Sequence, residues 1–444
     1  LVSVSIPNSV TEIGEGAFSL CGFNSITIPN SVKKIGNSAF ILCSKLTSII
    51  IPNSVTEMGR FIFQNCDNLT SITFSDGIKR IGNETFSDCD GLTFITFPNS
   101  VIEIGEKAFE SCDNLTSINI PNSVKKIGNE AFRGCNSLKS ITIPNSVTEL
   151  GEWVFADCIS LSSATVACST IESFTFDDCS NLTSITILDS VTKIEGYAFS
   201  GCTNLTSITI PNNVTDIGGS TFEGCNKLVS ITLSNNITDI GFSIFKDCNS
   251  LTSVIIPNSV TAIYDEAFLG CNNLISITIP SHVAHWGGNV FLNCSKLTSV
   301  TISNGVKKIG DGAFEGCVSL TSITIPNSVT TIGEEAFRNC TNLTSITLPN
   351  SITSIGRFAF WGCNGLTSIV IPNSVKNIDD WAFKECRNLK EIYSYNTSPS
   401  EGIGIPFTDE LKKECILYVP KGCIDIYRKN ENWNFINIRE MSDI

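Results

Sequence analysis

The sequence has little from which to build acid–base chemistry or a metal site: two His in 444 residues, His282 and His285. Histidine is the side chain most often used for general acid–base catalysis, and a zinc site needs several close-spaced ligands. No Cys-x-x-Cys pair occurs among the 20 Cys, and there is no nucleophile elbow, phosphate-binding loop or His-Glu-x-x-His. Gly310-Asp-Gly312-Ala-Phe-Glu-Gly316 has the wrong glycine spacing for a dinucleotide fingerprint. Basic charge is also short, with 29 Lys and Arg against 43 Asp and Glu for a formal charge of −14. Phosphate neutralisation needs a basic stripe, so nucleic acid is excluded as a partner. No apolar run approaches the roughly 18 residues of a membrane helix, and no membrane span is expected in this chain. The expectation is a protein without catalytic residues, cofactor or metal. No secretory leader opens the chain. Leu1 already lies inside a repeat, however, because Leu1-Val-Ser-Val-Ser-Ile-Pro-Asn-Ser-Val10 matches later turns. Further sequence upstream is therefore expected, and the missing leader carries no information.

What the sequence has in abundance is periodicity. Cys recurs at 21, 43, 66, 89, 112, 135, 158, 179, 202, 225, 248, 271, 294, 317, 340, 363 and 386, spaced 23 apart except for one 22 and one 21. A Phe stands three residues before each of these seventeen Cys, so one core position is filled repeatedly by the same ring. The unit reads Leu-Thr-Ser-Ile-Thr-Ile-Pro-Asn-Ser-Val-Thr-x-Ile-Gly-x-x-Ala-Phe-x-x-Cys-x-Asn. A unit of this length cannot bury its apolar residues alone, whereas stacked neighbours bury a continuous core.

Within each unit, Leu205-Thr-Ser-Ile-Thr-Ile210 is typical. Its period-2 alternation points Ile208 and Ile210 inward and Ser207 and Thr209 outward, which predicts one short strand per turn in a parallel sheet. Pro follows the strand in twelve units, where its missing N–H ends the ladder. The Gly column also accepts Glu172, Glu195, Tyr264 and Asp379. A strict positive-φ requirement would make Tyr264 costly, so close backbone packing explains the column better. The Ala-Phe-x-x-Cys segment predicts a single helical or 3-10 turn opposite the strands. The expected fold is an α/β-type repeat solenoid: a curved leucine-rich-repeat superhelix with a parallel sheet on one face and short turns on the other. Residues 1–393 form the solenoid of seventeen repeats and 394–444 a closing module. The unit from Ser160 to Cys179, two residues short, predicts a kink or a tightened turn.

The unit Ile-Pro-Asn-Ser-Val-Thr-x-Ile-Gly-x-x-Ala-Phe-x-x-Cys resembles the BspA-like leucine-rich repeats of bacterial surface proteins, from Leu1 to about Asn388. The tail, with Leu417-Tyr-Val-Pro-Lys-Gly422, Tyr427, Trp433 and Phe435-Ile-Asn-Ile438, is similar to the closing module of such proteins. By its own pattern it reads as strand, amphipathic helix and strand, fit to cover the last exposed apolar face. The resemblance implies secretion or attachment at a bacterial outer surface. It also implies adhesion to extracellular host proteins such as fibronectin or fibrinogen, to glycans or to other cells. It carries over no binding residue, and the chain is expected to be a monomer.

Specificity in such an array lies in its departures. The outward Ser and Thr ladders, Ser207 and Thr209 among them, are small and neutral and lack the aromatic and Arg anchors of tight interfaces. Phe94, Val370, Glu391 and Tyr393 break their monotony. Trp153 and Trp381 share one repeat position just before the Ala-Phe slot, and Trp361 follows the Phe. These tryptophans are candidate contact points, although covering neighbouring apolar surface accounts for them more readily. The column thiols read as buried free fillers, because stacked Cβ vectors run parallel and disulfides need convergent ones. Cys415 and Cys423, eight apart in the tail, leave a disulfide open. His282 and His285 stand beside Trp286, which takes a core Ile position and marks a drifted turn. An adhesive binding surface leads, with carbohydrate binding and a purely structural spacer as alternatives.

Overall fold

A computed structural model describes residues 3–74, 76–399 and 404–441. Two compact units divide the chain, Leu1–Leu228 and Val229–Ile444. Each is a parallel-strand solenoid of stacked coils, as the repeat predicts, and the coil is built the same way in both.

In the first unit the outward-alternating strands pair in parallel, one coil against the next, with Ile26 opposite Ile49 and Ile49 opposite Ile72. A second ladder of two-residue strands follows Pro-Asn-Ser-Val, as in Lys126–Ile127 between Glu103–Ile104 and Glu149–Leu150. Its inward Ile side chains join Leu, Val, Phe and Cys in the core. Its outward side chains alternate in sign: Glu12, Lys34 and Glu57, then Arg80, Glu103, Lys126 and Glu149. Ion pairs join Lys34 to Glu12 at 2.9 Å, Arg80 to Glu103 at 3.2 Å and Lys126 to Glu149 at 3.1 Å. Each exposed pair is worth little, but the row leaves these charges of the first unit compensated.

The side opposite the strands consists of tight turns. Two residues per coil are left-handed, five and one before the Cys, such as Ser38 (φ 53°) and Leu42 (φ 60°). A left-handed residue turns its peptide plane, so N–H groups that a helix would satisfy internally point along the stack. Ser38, Phe40 and Leu42 donate to the carbonyls of Arg60, Ile62 and Gln64 in the next coil, each at 2.9 Å. Only i to i−3 bonds, such as Ile41 to Ser38 at 3.2 Å, remain from the helical or 3-10 turn anticipated there. The Gly column is a packing column. Gly36 does not have positive φ, and a Cβ there would sit 2.8 Å from Glu15 N and 2.9 Å from Gly14 C.

Inside, the Phe rings form a stacked file, with Phe109, Phe132 and Phe155 successively 5.3 Å apart and nearly parallel. Thiols of the Cys column donate to the carbonyl of the Phe one coil earlier, as Cys66 does to Phe40 at 3.2 Å and Cys112 to Phe86 at 3.0 Å. This satisfies a buried S–H without bridging, and all 20 cysteines are free. Burial pushes the Cys66 and Cys158 thiols up to about 12. The short unit becomes a tightened turn. Ser163–Val166 still pairs with both neighbouring strands, and Phe155 still stacks on Phe176 at 5.7 Å. The two missing residues are lost from the connection between the coil's strands, Val166 to Thr170, and the second ladder breaks there: one run ends at Glu149–Leu150 and the next begins at Thr170–Ile171.

In the second unit the file continues from Phe383 to Phe407 at 5.4 Å and is closed edge-on by Trp433 and Phe435 at 5.0 and 5.1 Å. The strands Ser368–Ile371, Glu391–Ser394, Ile416–Val419 and Asn437–Glu440 form one parallel sheet. The tail thus supplies the strand, the helix (Ile424–Arg428) and the final strand read from its sequence. A further short helix, Asp409–Glu414, precedes them. Cys415 is buried, with its thiol donating to Leu389 O at 2.8 Å, and is not bridged to Cys423. Trp286 replaces the core Ile and packs edge-on against Phe291 and Phe314 at 6.4 and 5.7 Å. His285 lies against Tyr264 at 5.2 Å. Among the described residues no group of side chains could hold a metal ion, and no helix is long and apolar enough to cross a membrane.

Candidate ligand-binding surfaces

The strand face has low relief. Ser207 and Thr209 are exposed in the first unit and line a shallow depression with Thr186, Asp189 and Pro211. Many neighbouring hydroxyls are already committed: Thr47 donates to Asn24 O at 3.1 Å and Thr116 to Thr93 O at 2.9 Å, each tying a coil to the one before. The face changes in the last strands of the second unit, where Val370, Tyr393, Tyr418 and Arg439 stand in register. Tyr393 and Tyr418 stack at 4.6 Å, and the Tyr393 hydroxyl donates to Glu391 at 3.0 Å.

The turn side carries the stronger departures. The left-handed position five before the Cys suits Gly or Asn, and a bulky residue there is strained by about 1–2 kcal/mol. Yet six of the seventeen coils place an aromatic at it: Phe61, Trp153, Phe174, Tyr197, Phe358 and Trp381. Backbone geometry disfavours that choice, so the side chains must return something.

In the first unit they return packing. Trp153 lies flat on Phe174 at 3.8 Å, and Phe174 on Tyr197 at 4.7 Å. Arg133 sits 5.5 Å over Trp153 and is paired with Glu130 at 3.0 Å and Asp157 at 3.1 Å. The surroundings are acidic. Burial, reinforced by Asp178 and Asp157 against a hydrogen bond from Ser200, pushes Asp177 up to about 6. Glu172 is also raised, by burial first and then by Glu195 and Glu152.

In the second unit two columns interlock. Phe358 and Trp381 occupy the left-handed column with rings 5.4 Å apart, while Arg338, Trp361 and Lys384 occupy the position two before the Cys in three successive coils. Arg338 lies 4.4 Å and Lys384 5.4 Å from the Trp361 ring centre. Lys384 also lies 5.0 Å from Trp381, and Arg357 covers Phe358 at 4.4 Å and Trp381 at 5.3 Å. Arg338 pairs with Glu335 at 2.9 Å. Among the described residues no carboxylate comes within ion-pair distance of Arg357 or Lys384, although the Lys384 charge is felt by Glu410, whose carboxyl is held below its usual range first by hydrogen bonds from its own backbone and Thr408 and then by Lys413 and Lys384. A groove lined by Asn339, Trp361, Asn364, Lys384, Glu385 and Arg387 runs past Lys384 and adjoins one that Lys384, Glu385 and Arg387 share with Thr408, Glu410 and Glu414.

Of the positions read from sequence, the fold therefore brings Trp361 and Trp381 together around Phe358 and places Trp153 in a separate stack of the first unit. Ser207, Thr209 and Tyr393 lie on strand faces. Phe174, Tyr197, Phe358, Arg338, Arg357, Lys384 and Tyr418 were missed. Aligning all columns, and not only the tryptophans, would have found most of them: Arg338, Trp361 and Lys384 are spaced by 23 and 23.

Comparison with known proteins bears on both units. The BspA type leucine-rich repeat region, in six copies, matches residues 1–114, 56–172, 102–228, 169–298 and 307–401. Among solved structures, a leucine-rich repeat protein from Bacteroides ovatus is 32% identical over 84% of this chain and 92% of its own, with a TM-score of 0.65. A leucine-rich cell surface protein from Faecalibacterium prausnitzii is 30% identical over 84% of this chain and 88% of its own, with a TM-score of 0.39. Comparison with curated proteins finds no match.

Proposed function

From the premise that this chain belongs to the BspA-type leucine-rich-repeat family of bacterial proteins, we propose that it is a non-catalytic adhesion module. It would act at the cell surface or after secretion, binding extracellular macromolecules of a host or of other microbes. A leucine-rich repeat protein is generally a protein-binding scaffold, and stacked coils offer extended surface to a large partner. The observation that carries the reading is the patch of Phe358, Trp361 and Trp381 with Arg357 and Lys384 unpaired. On a chain of charge −14, cations outside any ion pair are the groups a partner can satisfy, and half-exposed aromatic and Arg side chains are the usual anchors of interfaces. The stack at Trp153 supports it less, since its Arg is already neutralised.

The test is retention of the purified chain on immobilised fibronectin, fibrinogen and intact cells across a range of salt. Saturable retention that falls when Arg357 and Lys384 are replaced by Gln supports an adhesin using this patch. No retention on any surface at micromolar protein sinks the adhesion reading and leaves the chain as a spacer.

A further inference from the structure

The geometry points to an acidic polysaccharide, carboxylated or sulfated, as the ligand of the groove along Trp361 and Lys384 and of the Arg357 and Trp381 patch beside it, an assignment that rests on the adhesion reading and names its chemistry. Three features converge. Arg357 and Lys384 present positive charge from two successive coils, fixed in place by the rings beneath them. The rims of Trp361 and Trp381 stand beside those charges, both half-buried, and offer apolar edge to the C–H surface of a sugar. Asn339 and Asn364 line the same groove and supply neutral amides suited to hydroxyls.

No other polyanion matches this mixture as well. A single strand of nucleic acid binds by laying its bases on open aromatic faces, but here Arg338 and Lys384 cover the two sides of Trp361 and Phe358 lies on Trp381. An acidic peptide would use the cations but leave the amides and aromatic rims idle. Successive coils rise by about 4.8 Å, close to the advance of one pyranose in an extended chain, so charges on neighbouring sugars meet cations on neighbouring coils. The far limit is set by repulsion. Arg387 and Glu385, paired at 2.9 Å, line the same groove, and Lys384 also borders the adjoining one with Glu410 and Glu414, so an anion is held to the Asn339–Trp361 side of Lys384.

The experiment is titration of the full chain, followed by tryptophan emission and calorimetry. The probes are an oligouronate, its carboxyl-reduced neutral counterpart, a sulfated oligosaccharide, oligo-dT and a poly-glutamate peptide. Saturable binding to the oligouronate or the sulfated chain, at least tenfold weaker for the neutral one, is expected. Lys384→Gln with Arg357→Gln and, separately, Trp361→Ala should each weaken it tenfold or more, while Lys308→Gln leaves it unchanged. The two acidic arms tell which group is preferred. Equal binding of the neutral chain, preference for oligo-dT or poly-glutamate, or titrations unmoved by the surface Gln variants overturns the proposal. If Trp361→Ala misfolds, the Gln pair decides alone, since it removes only surface charge. Retention on cells or matrix proteins that no acidic saccharide competes away defeats this ligand but leaves adhesion standing, whereas silence in both formats defeats both.

Discussion

The two aromatic clusters on the turn side are built from the same column of the same repeat and end in opposite electrostatic states. At Trp153, Phe174 and Tyr197 the rings stack on one another, and the single cation nearby is paired twice. At Phe358, Trp361 and Trp381 the rings hold Arg357 and Lys384 outside any ion pair among the described residues. The second-ladder charges repeat the contrast. They alternate in sign through Glu12–Glu149 in the first unit, while the equivalent places in the second unit hold Asp239, Ala262, His285, Lys308, Thr331, Ser354 and Asn377. One region has closed its charge account internally and the other has left charge for something outside. The identical scaffold beneath them shows that the difference lies in side chains.

The largest effect tests that shared scaffold. Phe155 and Phe360 are fully buried beneath the two clusters in one kind of stacked file. Either Phe→Ala change should cost about 3–5 kcal/mol, read as a matched shift in urea midpoint. A cost at one site several-fold below the other would break the claim that both clusters rest on equivalent coils. Next is binding. Arg357→Gln with Lys384→Gln should weaken retention of a surface partner at least tenfold, about 1.4 kcal/mol, and flatten its salt dependence. Arg133→Gln should change retention less than twofold. Parity between the two would erase the electrostatic distinction.

How far the sequence exposes this contrast depends on what repeats. The coil, its strand and the free thiols were legible because each unit states them again in the same register: Phe383 and Cys386 say what Phe40 and Cys43 say. The Gly column was legible through its exceptions, since Tyr264 argued against a positive-φ requirement. The left-handed residues were not, because Trp153, Ser38 and Lys107 share a backbone conformation but no chemistry. It is imposed by hydrogen bonds to the next coil, a long-range cause that no local propensity records. Half of the candidate site escaped for a related reason. A tryptophan draws notice by rarity, whereas Arg357 and Lys384 look like ordinary solvated charges until the fold shows that no carboxylate meets them.

A smaller effect follows from Asp177. Its carboxyl titrates at about 6 in the folded chain, chiefly through burial, against about 3.9 when unfolded. The folded state therefore holds the proton more tightly. Below about pH 4 both states are protonated and the group costs nothing; as pH rises to about 6 the unfolded state gains ionisation that the fold resists, and stability is lost. Asp177→Asn should raise stability at pH 7 by about 1 kcal/mol, discounted for partial exposure, with the gain vanishing below pH 4. Denaturant melts at several pH values check it. An Arg357→Gln change in the second unit should show no such acid-side profile, which separates the acidic surroundings of Trp153 from the rings that hold Arg357.

The smallest effect asks what an aromatic returns for its strained backbone. Asn289 already occupies the left-handed column at φ 57°, so Asn fits there with the strain of about 1–2 kcal/mol largely relieved. At Ser38, which stacks on nothing, Ser→Asn should stabilise by a few tenths of a kcal/mol, because Ser is small and little strained. At Tyr197 the relief is set against the lost stack on Phe174, worth about 0.5–1.5 kcal/mol beyond burial, so Tyr197→Asn should be neutral or destabilising. Phe358→Asn meets the same strain relief but removes the ring under Arg357. If Phe358 serves a ligand, its replacement should leave the melting curve within about 0.5 kcal/mol of the parent while binding drops. If it serves packing, stability falls and binding follows only as far as folding does. Measuring both quantities on both variants decides whether the two clusters differ in purpose or only in charge.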